Sequence, residues 1–146
     1  MSNVTVSLES RNVTGVVPEH MEDLALISHR VVIIRIPVLY RADMDATELY
    51  ESTRGVWRMN VSRARASEYV FSVIDQVVRE VYRPTRWAQA GSTPYAFRSQ
   101  VAMRRPGRWE FVGEVAAQSI RARYVNLPLG HMFPHGAANP IMYLNM

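Results

Sequence analysis

The stretch LYESTRGVWRMNVSRARASEYVFSVIDQVVREVYRP, Leu49 to Pro84, decides the fold because it carries a helix and then a pair of strands. Just before and into it, Asp45 to Glu48 has the form of a capping box, which opens a helix. Farther on, Tyr69–Asp75 and Val77–Tyr82 are rich in β-branched and aromatic residues. The tight join between them predicts a hairpin, which Pro84 is expected to end.

The remaining elements are shorter, and they surround this stretch on both sides. Strands are predicted by alternation or by β-branched runs, and helices by apolar spacing. Together they predict an α+β fold, a small and strongly bent mixed sheet or a β-barrel with two or three short helices. The predicted strands are Val4–Leu8, Val31–Pro37, Phe97–Met103 within a long loop over Thr85–Gly107, Trp109–Val115 and Ile141–Asn145, and the predicted helices beyond the first are Ser62–Ala66 and Ala116–Arg123.

Length and composition indicate an ordinary globular chain of 146 residues, with 48% hydrophobic and 21% charged residues. We expect a single domain over residues 1–146, with residues 1–30 as an N-terminal extension and 31–146 as the core. No apolar run is long enough for a membrane span, and the first residues do not have the layout of a signal peptide. The chain has no cysteine, which excludes disulfides and thiolate chemistry and favours a cytoplasmic protein.

All 17 basic residues are arginines, and the formal net charge is +4. The absence of lysine excludes a catalytic lysine of any kind. Codon usage in a GC-rich genome, where Arg codons displace Lys codons, is the simpler explanation of such a bias. The functional alternative is that the planar guanidinium groups bind phosphate oxygens or stack on aromatic rings. A basic chain of this kind is compatible with a polyanionic partner.

The motifs LYESTRGVWR, YVFSVIDQVVREVYRP, RWEFVGEVA, RYV and GAANPIMYLN together resemble an uncharacterised domain found C-terminal to GIY-YIG-type nuclease-like domains. The resemblance covers about Val31 to Asn145. Residues 1–30 lack the paired Tyr motifs, the Arg and the metal-binding Glu of the nuclease part, so the resemblance implies the accessory domain alone. The order of elements is also similar to the PUA-like group, which includes the EVE and YTH domains. That similarity implies a bent barrel with a pocket for a modified base.

Candidate binding residues are aromatic, basic or amide side chains near the predicted turns. Trp57 and Trp87 are candidates for an aromatic pocket that stacks a base, with core packing as the alternative. Asn126 or Asn139 could hydrogen-bond a base edge, and His131 could border the pocket. His131 and His135 are four residues apart, but Pro134 between them argues against a helical metal site. The arginine candidates for phosphate contacts are Arg54, Arg58, Arg65, Arg104 and Arg105.

No catalytic signature is present: there is no G-x-S-x-G motif, no G-x-G-x-x-G motif and no phosphate loop. We therefore expect a non-catalytic module without metal or cofactor that binds nucleic acid. The alternatives are a binder of a small nucleotide or signalling molecule, and an enzyme that processes nucleic acid. The predicted edge strand Val4–Leu8 could pair between subunits, so a homodimer is also predicted.

Overall fold

The computed structural model describes residues 26–37, 43–130, 133 and 139–146. Its elements are β1 (Val31–Ile36), α1 (Ala46–Arg54), α2 (Val61–Arg65), β2 (Tyr69–Ile74), β3 (Val77–Gln89), α3 (Gln100–Met103), β4 (Trp109–Val115), α4 (Gln118–Tyr124) and β5 (Ile141–Leu144). The predicted strand Val4–Leu8 lies outside the described residues. Among the described residues, no helix is long and apolar enough to cross a membrane.

The strands form one five-stranded sheet in the order β4-β3-β2-β1-β5. β1 and β2 are parallel, and every other neighbouring pair is antiparallel. The parallel pair requires a crossover, which α1 and α2 provide. The α+β class with a mixed sheet is thus confirmed. The order places β4 and β5 at opposite edges, so the described strands form an open sheet and do not close into a barrel.

Helices cover both faces of this sheet. Val31 and Ile33 of β1 pack with Tyr124 of α4, whereas Val32 and Ile34 pack with Ala64 of α2 on the other face. All four β1 residues are fully buried. In a strand that is covered on both faces, neither set of alternating side chains faces water. Polar and apolar residues therefore do not alternate, which explains the continuous β-branched run.

The start of α1 and the hairpin follow the local predictions. Asp45 accepts a hydrogen bond from the Glu48 amide at 2.8 Å, and the Glu48 side chain accepts one from the Asp45 amide at 3.4 Å. β2 and β3 pair as predicted, with a tight turn in which Asp75 and Gln76 both have positive φ. Both predictions are confirmed. They were possible from sequence because the capping box and the turn each depend on neighbouring residues alone.

Two predictions between Pro84 and Gly107 are wrong. β3 does not end at Pro84 but continues to Gln89, because the proline lies at an irregularity in the pairing with β4, where a ladder hydrogen bond is not required. The strand predicted over Phe97–Met103 is instead a loop followed by the single turn of α3. Ser99 caps that turn by accepting a hydrogen bond from the Ala102 amide.

Candidate nucleic-acid interface

Arg54 is inside the protein, with only 3% of its surface exposed. Its guanidinium donates to the Thr93 hydroxyl at 2.7 Å, to the Phe111 carbonyl at 3.2 Å and to the Pro94 carbonyl. The same group lies 3.8 Å from the centre of the Tyr95 ring. A buried guanidinium with these partners does not reach a phosphate at the surface, so the predicted role of Arg54 in phosphate binding is corrected to a structural one.

The carboxylate of Glu110 lies beside Arg54 and is fully buried. It accepts hydrogen bonds from the Gly91 amide at 2.7 Å, the Thr93 amide at 3.0 Å and the Tyr95 hydroxyl at 2.8 Å, and from the Thr93 hydroxyl. Burial, followed by the hydrogen bond to Glu110, raises the pKa of the Tyr95 phenol well above its ordinary value. The phenol therefore stays a donor to the carboxylate at neutral pH.

Glu51 of α1 holds the backbone that follows Tyr95. Its carboxylate accepts from the Phe97 amide at 2.8 Å and from the Ala96 amide. In return, the Arg98 guanidinium donates to the carbonyls of Glu51 at 2.9 Å and Gly55 at 2.5 Å. Residues 90–98, which we call the anchored loop, are thus fixed to α1 and β4 by buried side chains in place of a neighbouring strand.

A second set, of six arginines, lies on the surface around the ends of β3 and β4. None of the six forms an ion pair with an acidic residue in the part of the chain that the structure describes. By contrast, Arg83 of β3 pairs with Glu114, and Arg121 of α4 pairs with Glu80 at 2.8 Å. We call this set the arginine face: Arg58, Arg65, Arg86, Arg104, Arg105 and Arg108.

Five of the six arginines line two depressions in the surface. A cleft of about 530 Å³ is lined by Arg104, Arg105, Arg108 and Trp109. A smaller depression of about 280 Å³ is lined by Arg65 at the end of α2, by Ser67 and by residues 84–87 of β3, which include Arg86. The Arg65 guanidinium lies 5.8 Å from the Trp109 ring, which places the two depressions next to each other.

The arginines of the cleft are close enough to repel one another. The pKa of the Arg108 guanidinium is lowered, first by partial removal from water and then by the positive charges of Arg105 and Arg58. Trp57 forms an isolated bridge with Trp109, which brings the neighbouring Arg58 to this site. Like charges that gather without counter-charges create a positive potential that an anion would relieve.

The three tryptophans have different surroundings. Trp87 is 8% exposed, and its ring centre lies 5.2 Å from that of Phe111 in the core. The indole N–H of the half-buried Trp57 donates to the Thr53 carbonyl at 2.7 Å. Trp109 is half-buried and lines the cleft. Trp87 nevertheless lines the smaller depression beside Arg65 and Arg86, so each depression has one tryptophan. Trp57 lines neither depression, so Trp57 and Trp87 do not form one aromatic pocket.

The two predicted asparagines do not line the cleft or the smaller depression. Asn126 is exposed and has positive φ, and its backbone N–H donates to the carbonyl of Val78 in β3. Asn139 accepts a hydrogen bond from the Ile141 amide at 3.0 Å and lies next to β5, at the opposite edge of the sheet from β4. His131 and His135 lie outside the described residues. Among the described residues, no group of three or more His, Asp or Glu side chains could hold a metal ion.

Sequence reasoning missed several residues that shape this site. Glu110 alternates with the apolar Phe111 along the predicted strand, a pattern that does not indicate a buried carboxylate. Its burial depends on partners 15 to 19 residues away, for which the sequence carries no local signal. The basic turn RRPGR, residues 104–108, indicates Arg108 as a binding residue. The proximity of Arg108 to Arg58 is not predictable from their spacing in the sequence.

Comparison of the chain with protein-family models, with curated proteins and with solved structures finds no match.

Proposed function

We propose that this protein is a non-catalytic module that binds nucleic acid through the arginine face. The observation that carries the proposal is the contrast between paired and unpaired arginines. Among the described residues, the other exposed arginines each donate to a side chain or a carbonyl, as Arg83 does to Glu114, Arg123 to the Ser28 hydroxyl and Arg63 to the Met146 carbonyl. The side chains of the six arginines of the arginine face have no hydrogen-bond or ion-pair partner there. Uncompensated guanidinium groups on one surface are the usual electrostatic feature of a phosphate-binding site.

Two aromatic side chains that are accessible for stacking support the same function. Trp109 lines the cleft between the arginines, and Phe97 on the anchored loop is 58% exposed. The Phe97 amide is held by Glu51, so its exposed ring is presented from a fixed backbone. Bases stack on aromatic rings with about 1–3 kcal/mol each, and this stacking tolerates any sequence. We therefore expect single-stranded nucleic acid to bind more tightly than duplex.

The test is fluorescence polarisation with labelled single- and double-stranded DNA and RNA over a series of salt concentrations. Arg86→Gln is compared with Arg83→Gln, which lies on the same strand and is exposed but paired with Glu114. Both variants lose one positive charge. We expect Arg86→Gln to reduce the slope of log K against log salt by about 1, because one phosphate contact is lost. Arg83→Gln should leave the slope unchanged.

Two outcomes would contradict the proposal. Equal effects of the two substitutions would mean that only net charge matters and that no specific surface binds. Absence of binding to any of the DNA and RNA strands at low salt would exclude the proposed nucleic-acid binding.

A second candidate function is a site for a free small nucleotide, and the size of the cleft favours it. At about 530 Å³ the cleft is within the range of small-molecule sites, roughly 300–1,000 Å³. Binding of a free nucleotide with no binding of polymers would distinguish this function from the first.

The relationship to the PUA-like group also stays a proposal. Its support is limited to the α+β class and the mixed sheet. An experimental structure that places residues 1–25 and 131–138 would test it, since the proposal requires the sheet to bend strongly towards closure.

A further inference from the structure

The cleft is built by two turns that approach each other closely. One turn covers residues 89–92, and the other covers residues 104–108. They are joined by a hydrogen bond of 3.0 Å from the Ala90 amide to the Arg108 carbonyl. The Gln100 side chain also donates to the Gly91 carbonyl at 3.1 Å, which ties α3 to the first turn. The cleft therefore has walls that are fixed from within the fold.

The charge that faces the cleft is entirely positive. Three of its ten lining residues are arginines, and none is acidic. The carboxylate of Glu110, the residue after Trp109, is buried and accepts hydrogen bonds from the backbone and side chains of Gly91, Thr93 and Tyr95. That carboxylate therefore balances Arg54, from which it is 3.7 Å away, and does not balance the arginines of the cleft.

We propose that this cleft binds a phosphomonoester, the terminal phosphate of a nucleic-acid strand, while Arg65 and Arg86 bind the internal phosphodiesters. The inference rests on the proposed function and adds a specific ligand class to it. Trp109 forms the wall of the cleft on which the terminal nucleoside would pack. Arg65 lies over the same tryptophan, so the strand would continue from the cleft into the smaller depression.

The density of guanidinium groups selects the terminal phosphate over an internal one. An internal phosphodiester carries one negative charge, whereas a phosphomonoester carries about −1.5 to −2 at pH 7 and has three strong acceptor oxygens. Arg104, Arg105 and Arg108 present fork-shaped donors to one cleft, and Arg58 is close enough to Arg108 for the two charges to repel. A dianion relieves the repulsion among them more than a monoanion does.

The experiment compares one single-stranded oligonucleotide with a 5′-phosphate, with a 3′-phosphate and with hydroxyl groups at both ends. Binding of the hydroxyl-ended strand tests the proposed function, and the gain from a terminal phosphate tests the inference. We expect one phosphorylated end to bind about tenfold more tightly, the effect of one strong charge-assisted contact. Arg105→Gln should remove this gain, whereas Arg86→Gln should weaken all three strands equally.

A titration with a nucleoside monophosphate and with inorganic phosphate, followed by tryptophan fluorescence, identifies the source of the phosphomonoester. Binding of the nucleoside monophosphate that is lost in Arg105→Gln, with no polymer binding, would support the cleft and contradict the proposed function. Equal affinities of the three strands, or a gain that survives in Arg105→Gln, would overturn the inference even where polymer binding holds. Circular dichroism of each variant checks that it is folded.

Discussion

Arg54 and Glu110 lie 3.7 Å apart in the protein interior, and the hydroxyl of Thr93 bridges them. The hydroxyl accepts from the guanidinium and donates to the carboxylate, so both charges are satisfied by one neutral group. The ions come from α1 and β4, and the threonine comes from the anchored loop. A buried ion pair stabilises a fold only when its remaining donors and acceptors are bonded, and here the loop supplies those bonds.

We expect Thr93→Val to lower the free energy of unfolding by about 2 kcal/mol, because it leaves a buried donor and a buried acceptor without their shared partner. Valine has nearly the same volume as threonine, so packing changes little. Thr93→Ser keeps the hydroxyl and is the matched control, with an expected loss of less than about 1 kcal/mol. Urea denaturation measures both values. A loss in Thr93→Val that is no larger than the loss in Thr93→Ser would contradict the prediction, because removal of the hydroxyl would then cost no more than removal of the methyl group.

The elements that sequence analysis predicted correctly depend on contacts between near neighbours. The capping box at Asp45 and Glu48 and the turn at Asp75 and Gln76 are fixed within four residues. The β-branched run in β1 predicted a strand without reference to its partners. Such signals are readable from one sequence because no distant residue is needed to complete them.

The candidate site was predictable only in part. Arg54 and Arg58 are four residues apart and equally basic, yet Arg54 is buried and Arg58 is exposed. The difference arises from Thr93 and Glu110, which lie 39 and 56 positions beyond Arg54 in the sequence. Charge and spacing alone assign the same role to both arginines, so only the tertiary structure separates them.

Tyr82 makes the stability of the fold sensitive to alkaline pH. Burial, and secondarily the negative charge of Glu80, raise the pKa of its phenol well above the ordinary value of 10.0. Above pH 10 the unfolded chain loses this proton while the folded chain keeps it, so the unfolded state binds fewer protons and stability falls as the pH rises.

The expected loss is about 1.4 kcal/mol per pH unit for each such group. Chemical denaturation at pH 9, 10 and 11 measures the slope, and Tyr82→Phe should make it shallower by removing the titrating group. Tyr95, whose pKa is also raised, would account for part of the remaining slope. An identical slope in wild type and Tyr82→Phe would contradict the assignment.

Glu51 is expected to control the local stability of the anchored loop. Its two oxygens accept from the amides of Ala96 and Phe97. In Glu51→Gln, one oxygen becomes an NH2 group that faces a backbone donor, so one amide loses its acceptor at a cost of about 1–3 kcal/mol. Hydrogen exchange should therefore be at least tenfold faster at Ala96 or Phe97. Glu48→Gln, one turn earlier in α1, is the control and should leave both amides protected.

Gly91 sets the width of the cleft. It has a φ of +82°, and a side chain there would place its Cβ 2.6 Å from the Cα of Arg104. Gly107, in the facing turn, has a φ of +76° but open space around it. Both Gly→Ala substitutions therefore introduce the same backbone strain, of order 1–3 kcal/mol, and only Gly91→Ala also forces the turns apart.

We expect Gly91→Ala to be the more destabilising of the two substitutions and to abolish the preference for a terminal phosphate. Gly107→Ala should lose stability but keep the preference, because the strain alone does not move Arg104 relative to the first turn. Thermal unfolding gives the first comparison, and the three-oligonucleotide assay gives the second. A Gly91→Ala variant that still prefers phosphorylated ends would show that the width of the cleft does not determine which ligand it accepts.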